Sequence, residues 1–123
     1  MKQNNIIQEK SFNFALRIIK LSNYLREKKN EFVLSKQLLR CGTSIGANIE
    51  EALGGYSPAD FKSRLTIAYK EARETHYWIR LLFESGFLTK KQSDSMLNDC
   101  EEILKIIGTI QKTIRLKETK TDS

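Results

Sequence analysis

Apolar residues recur along this chain every three or four positions, the spacing of one helical face, throughout its length. The first stretch, from about Asn5 to Lys28, carries the stripe Ile7, Ser11, Phe14, Ile18, Leu21 and Leu25, with Phe12, Leu16 and Ile19 beside it. Lys28, Lys29 and Asn30 mark its end, and Glu31 falls in the turn. A second helix is predicted from about Phe32 to Leu53, with the seam Leu34, Leu38, Cys41, Ile45, Asn48 and Ala52. Gly54 and Gly55 stop it.

Ser57 then reads as an N-cap, with Pro58 at the first helical position and Asp60 in the first turn. The third helix, Pro58 to about Ser85, keeps a four-three spacing through Phe61, Leu65, Ala68, Ala72, Thr75, Ile79 and Leu82. Gly86 is the expected C-terminal cap, with Phe87 and Leu88 folding back as an apolar plug. Thr89 to Gln92 spells a capping box. The fourth helix, Lys90 to about Leu116, carries Met96, Cys100, Ile103, Ile107, Ile110 and Ile114. Lys117 to Ser123 is polar and expected to be a disordered tail, leaving residues 1–116 as one domain. Four such helices joined by short turns predict an all-α fold, an antiparallel up-down-up-down four-helix bundle. At ~1.5 Å per residue it would be roughly 35–40 Å long.

Composition narrows the function classes. The 123 residues are 40% hydrophobic and 29% charged, the profile of a soluble globular protein of one domain. No apolar run reaches the ~18 residues needed to span a bilayer, and the N-terminus lacks a signal-peptide core, so no membrane partner and a cytoplasmic location are expected. The net charge of +6 favours an acidic partner without naming one. Cys41 and Cys100 fall on core seams and read as reduced, buried thiols. With neither a C-x-x-C nor a Cys/His pair, no metal and no cofactor are expected.

Catalytic constellations fail one by one. A diiron bundle needs Glu-x-x-His from two helices; His76 is the only histidine, and Arg73 stands three before it. Helical-bundle ribonucleases separate Arg from a following His by four to six residues, but the positions so placed before His76 are Tyr69, Lys70 and Glu71. His76 therefore reads as a solvent-facing or capping residue. Nothing positions a nucleophile or an oxyanion hole, so no enzyme is expected.

Four features remain. Gly42 and Gly46 lie four apart on one helical face, where glycine costs about 1 kcal/mol relative to alanine; tight packing of a neighbouring helix is the expected use, a ligand groove the alternative. Asn48 on the seam needs polar company, for which Glu71 and Glu74, with Glu51, are the candidates of a structural polar layer. Cations interleave with aromatics on the third helix at Lys62, Tyr69, Lys70, Arg73, Tyr77 and Arg80, and the first helix adds Lys10, Arg17 and Lys20. That mixture suits nucleic acid, because cations neutralise phosphate and rings stack on unpaired bases; an ordinary solvated face is the alternative. Finally, Phe12, Leu16 and Ile19 on the first helix and Ile67, Trp78 and Leu81 on the third exceed the single stripe a monomeric bundle covers, which points to an oligomer interface.

The run Thr43-Ser44-Ile45-Gly46-Ala47-Asn48-Ile49-Glu50-Glu51-Ala52, followed by Phe61-x-x-x-Leu65-x-Ile67-Ala68-x-x-Glu71-x-x-Glu74-Thr75-x-Tyr77-Trp78, resembles the 23S rRNA intervening-sequence protein family of bacterial four-helix bundles. The likeness extends over nearly the whole chain. It implies an up-down bundle without enzymatic activity, and self-assembly as a ring-like homopentamer, as in some members. In a distant branch the bundle serves as accessory protein to a reverse transcriptase, with a basic ring surface facing nucleic acid. Gly46, Asn48, Glu71 and Glu74 match motif positions and look structural in the family. The expectation is thus a non-enzymatic homo-oligomer binding RNA or DNA through a basic surface, with a scaffold docking a partner protein as the alternative.

Overall fold

The computed structural model describes residues 2–122. Four helices follow in order: α1 Lys2–Lys29, α2 Leu34–Leu53, α3 Pro58–Glu84 and α4 Lys90–Asp122. Each packs against its neighbours in the chain, and α4 closes against α1, so α1 and α3 take diagonal corners. Partners across every seam run in opposite order. Gln8 meets Glu50 while Ile18 meets Gly42; Arg40 meets Glu74 while Arg64 meets Glu51; Lys62 meets Glu118 while His76 meets Glu101. Neighbouring helices are therefore antiparallel.

The core follows the seams. All six stripe residues of α1 are buried, as are Leu65, Ala68, Ala72, Thr75, Ile79 and Leu82 of α3. Met96, Cys100, Ile103, Ile107 and Ile110 of α4 join them. Phe61 and Ile114, expected in the seams, are half-buried at the margin of the core. Both caps of α3 form: Ser57 Oγ accepts from Asp60 N–H at 3.1 Å. At the other end Gly86 takes φ 88°, with Phe87 N–H donating to Leu82 O at 2.9 Å and Gly86 N–H to Phe83 O at 3.0 Å. Leu88 is buried behind that turn. The Thr89–Gln92 box is reciprocal, at 2.8 and 3.1 Å.

Three expectations are corrected. First, Ile49 and not Asn48 occupies the α2 seam; Asn48 is half-buried and its amide donates to Ser44 O, 2.8 Å away in its own helix. The helix advances 3.6 residues per turn, so the seam steps by four after Ile45, where a strict alternation predicted three. Second, α2 begins at Leu34 rather than Phe32. The carboxylate of Glu31 accepts from Ser35 N–H at 2.7 Å, Leu34 N–H at 3.1 Å and Val33 N–H at 3.3 Å, while Ser35 Oγ donates back to Glu31 O at 2.7 Å. This satisfies the free donors of the first turn and leaves Phe32 and Val33 outside the helix and exposed. Third, the tail expected from Lys117 continues α4 to Asp122, held at its base by Glu118, which pairs with Lys62 at 3.0 Å. Ser123 lies outside the described residues.

The glycine pair serves helix packing. A Cβ on Gly42 would meet Ile18 side-chain carbons at 2.7–2.8 Å, and one on Gly46 would stand 3.3 Å from Ser11 O. The missing side chains let α1 settle against α2.

A candidate nucleic-acid interface on helix 3

Helical spacing brings Lys70, Arg73, Tyr77 and Arg80 onto one exposed strip of α3, with steps of three, four and three. None of these three cations, nor Lys20, makes an ion pair among the described residues. Tyr77 is 48% exposed; its ring meets that of Trp78 edge-on at 5.2 Å, and the Arg80 guanidinium carbon stands 6.0 Å from its centroid. Alongside runs a groove of about 790 Å³ between α3 and α4, lined by Arg73, Glu74, His76, Tyr77, Arg80, Glu101 and Leu104.

The other candidate cations stand elsewhere and are engaged. Lys10 pairs with Glu102 at 2.7 Å, and that bond holds its ammonium above the ordinary lysine range. Arg17 binds Asp99, and its guanidinium also donates to Ser95 Oγ at 2.8 Å. Lys62 pairs with Glu118. Lys20 is exposed on α1, diagonally away from the strip. Tyr69 does not stand on the exposed strip; it is half-buried against the core.

The polar layer has a different membership from the one expected. Glu71 and Glu74 do not meet Asn48. They bind Arg40 of α2, Glu71 at 3.4 Å and Glu74 more closely, and Glu74 Oε2 also accepts from Trp78 Nε1–H at 3.0 Å. Glu51 pairs with Arg64 at 2.8 Å. Arg40 went unnoticed in the sequence, although two carboxylates one turn apart on α3 required a cation from α2. His76 is neither a cap nor fully solvated: it is half-buried, and its Nε2 lies 3.0 Å from Glu101 Oε2 across the α3–α4 seam.

The surplus apolar residues separate into two groups on opposite corners. On α1, Phe12, Leu16 and Ile19 are 61%, 46% and 42% exposed and form a continuous stripe. On α3, Ile67 is exposed, whereas Trp78 and Leu81 are half-buried, Trp78 against the core. Both thiols lie inside the bundle, where burial pushes Cys41 up to about 11 and Cys100 to about 12. Among the described residues no helix is long and apolar enough to cross a membrane.

Comparisons with known proteins agree with this architecture. A solved structure from Bacteroides thetaiotaomicron, described as a protein with unknown function from the S23 ribosomal protein family, is 48% identical. It superposes with a TM-score of 0.88, over 89% of this chain and 98% of that one. No curated protein matches the chain. The sequence pattern of the 23S rRNA-intervening sequence protein family matches residues 3–109, and the chain belongs to that family.

Proposed function

We propose that the protein is a non-enzymatic, self-associating helical bundle that binds nucleic acid through the exposed face of α3. One observation carries this reading: Lys70, Arg73 and Arg80 stand without acidic partners on the same strip as an exposed tyrosine. Cations of this kind release counterions from phosphate, so affinity should fall steeply with salt. The non-enzymatic reading is supported by the two thiols, which burial holds protonated and away from any substrate. The test is a titration of labelled structured RNA and duplex DNA at low and physiological salt. The double variant Arg73→Glu/Arg80→Glu should weaken binding to every sequence and flatten the salt slope by about two phosphate contacts. Unchanged affinity would remove the α3 strip from the interface.

Self-association is assigned to the α1 stripe, on the corner away from the strip, so both faces work at once. Phe12→Lys should then reduce the mass measured by light scattering. The same exposed stripe favours a second reading, a scaffold that docks a partner protein such as a reverse transcriptase. That reading predicts a wild-type protein that stays monomeric at micromolar concentration and binds nucleic acid only weakly.

A further inference from the structure

The groove between α3 and α4 goes further than the basic strip, and the inference rests on the nucleic-acid reading above. A duplex offers a protein its phosphates but keeps its base faces stacked on one another. An unpaired strand offers both phosphates and ring faces. The groove has parts for both. Arg73 and Arg80 lie seven residues apart, two helical turns or about 10 Å along the axis, with Tyr77 between them.

The arrangement around Tyr77 is that of an aromatic platform. Trp78 supports the ring edge-on at 5.2 Å and is itself fixed by its bond to Glu74. The Arg80 guanidinium carbon stands 6.0 Å from the ring centroid. A base between two flat groups needs twice the ~3.5 Å contact distance, or about 7 Å. An outward move of roughly 1 Å by an exposed arginine makes that room. Leu104 gives the groove an apolar wall on the α4 side. The two carboxylates at the groove are already engaged, Glu74 by Arg40 and Trp78, and Glu101 by His76.

We infer that this groove holds an unpaired nucleotide of single-stranded RNA or DNA, its base between Tyr77 and Arg80 and its backbone phosphate at Arg73. Tyr77 then selects single strands over duplex, while the arginines serve both. The tyrosine hydroxyl has no role in stacking, so phenylalanine should replace it.

The test uses the full chain with oligo-U, oligo-dT and a blunt DNA duplex of equal length, each labelled, at two salt concentrations. Trp78 is the single tryptophan and lies against Tyr77, so quenching of its fluorescence reports stacking directly. Expected are tighter binding of single strands than of duplex, and tryptophan quenching by single strands alone. Tyr77→Ala should lose roughly 5- to 150-fold on single strands and little on duplex, with Tyr77→Phe near wild type. Thermal melts keep the comparison honest, since Tyr77 lies outside the core and its removal should leave folding intact. A difference between oligo-U and oligo-dT, with both weakened to the same degree by Tyr77→Ala, supports the same site and adds a contact to the 2′-hydroxyl or the thymine methyl. Equal binding of single strand and duplex, unaffected by Tyr77→Ala but abolished by Arg73→Glu/Arg80→Glu, overturns the stacking site and leaves the nucleic-acid reading standing. No binding of any oligonucleotide overturns both.

Discussion

The same substitution should stabilise the protein at Gly108 and fail to do so at Gly42. Both lie within helices, where alanine is favoured over glycine by about 1 kcal/mol. A Cβ on Gly108 meets nothing within 4 Å, so Gly108→Ala should keep that gain whole. At Gly42 the new methyl would stand 2.7–2.8 Å from three carbons of Ile18, a side chain with 0% exposure. Overpacking of this kind costs typically ~1–3 kcal/mol, which cancels or exceeds the propensity gain. Gly42→Ala should therefore be neutral to about 2 kcal/mol destabilising. The cause can be isolated. Ile18→Ala removes all three clashing carbons and alone should cost ~2–5 kcal/mol as a cavity. In that background the methyl at position 42 has room, so Gly42→Ala should become stabilising by about 1 kcal/mol, giving a coupling energy of ~1–3 kcal/mol. The assay is denaturant unfolding followed by circular dichroism at one protein concentration, which keeps any contribution of self-association constant. Each kcal/mol corresponds to about 4 °C in Tm for a chain of this size. If Gly42→Ala alone stabilises like Gly108→Ala, or acts identically with and without Ile18, the close approach of α1 to α2 is not limiting and the reasoning fails.

Two further outcomes follow from local chemistry. Glu31→Ala should cost about 1–2 kcal/mol in the same assay, since three backbone donors of the first turn of α2 lose their acceptor; a loss below the error of the measurement would show that water replaces it freely. Cys41 and Cys100 should resist a thiol reagent at pH 8 in the native protein and react fully in denaturant. Their folded pKa values lie above the ordinary 9.0, so the unfolded chain releases these protons first, and stability should fall as pH rises from about 9 towards 11–12. A Cys41→Ala/Cys100→Ala variant that loses stability as steeply over that window would assign the effect to other groups.

What the sequence revealed and what it hid divide along a physical line. Helix existence and burial are set within one helix by periodicity, and α1 shows this: Ile7 through Leu25 are all buried as spaced. The capping signals at Ser57, Gly86 and Thr89 are likewise local, and all three form. The α2 seam was misread at its first turn, where Ser35 and not Leu34 is buried, and where two steps competed, at Asn48 and Ile49. Pairing between helices is another matter. Whether Lys62 is free depends on the height of Glu118 along a different helix, and periodicity carries no information about that. The same blindness hid Arg40, the cation that binds Glu71 and Glu74, and Glu31, whose carboxylate reaches forward over the turn it sits in.

These ion pairs alter the meaning of the net charge. Exposed ion pairs are screened by solvent and contribute little, so the seams are held by the apolar core rather than by Lys10–Glu102 or Lys62–Glu118. Their larger effect is on the surface field. Carboxylates on α2, α3 and α4 are drawn to the cations beside them along the seams, at Glu51, Glu71, Glu74, Asp99, Glu102 and Glu118. The +6 excess is therefore displaced from the seams to outward-facing positions, such as the Lys70–Arg73–Arg80 strip. Cations that form no ion pair project their potential about a Debye length, ~8 Å at physiological salt, whereas paired charges largely offset each other. An anionic strand approaching the bundle thus meets attraction at a corner such as α3 and near-neutral seams beside it. The exposed apolar stripe of α1 stands on the diagonal corner, away from that attraction.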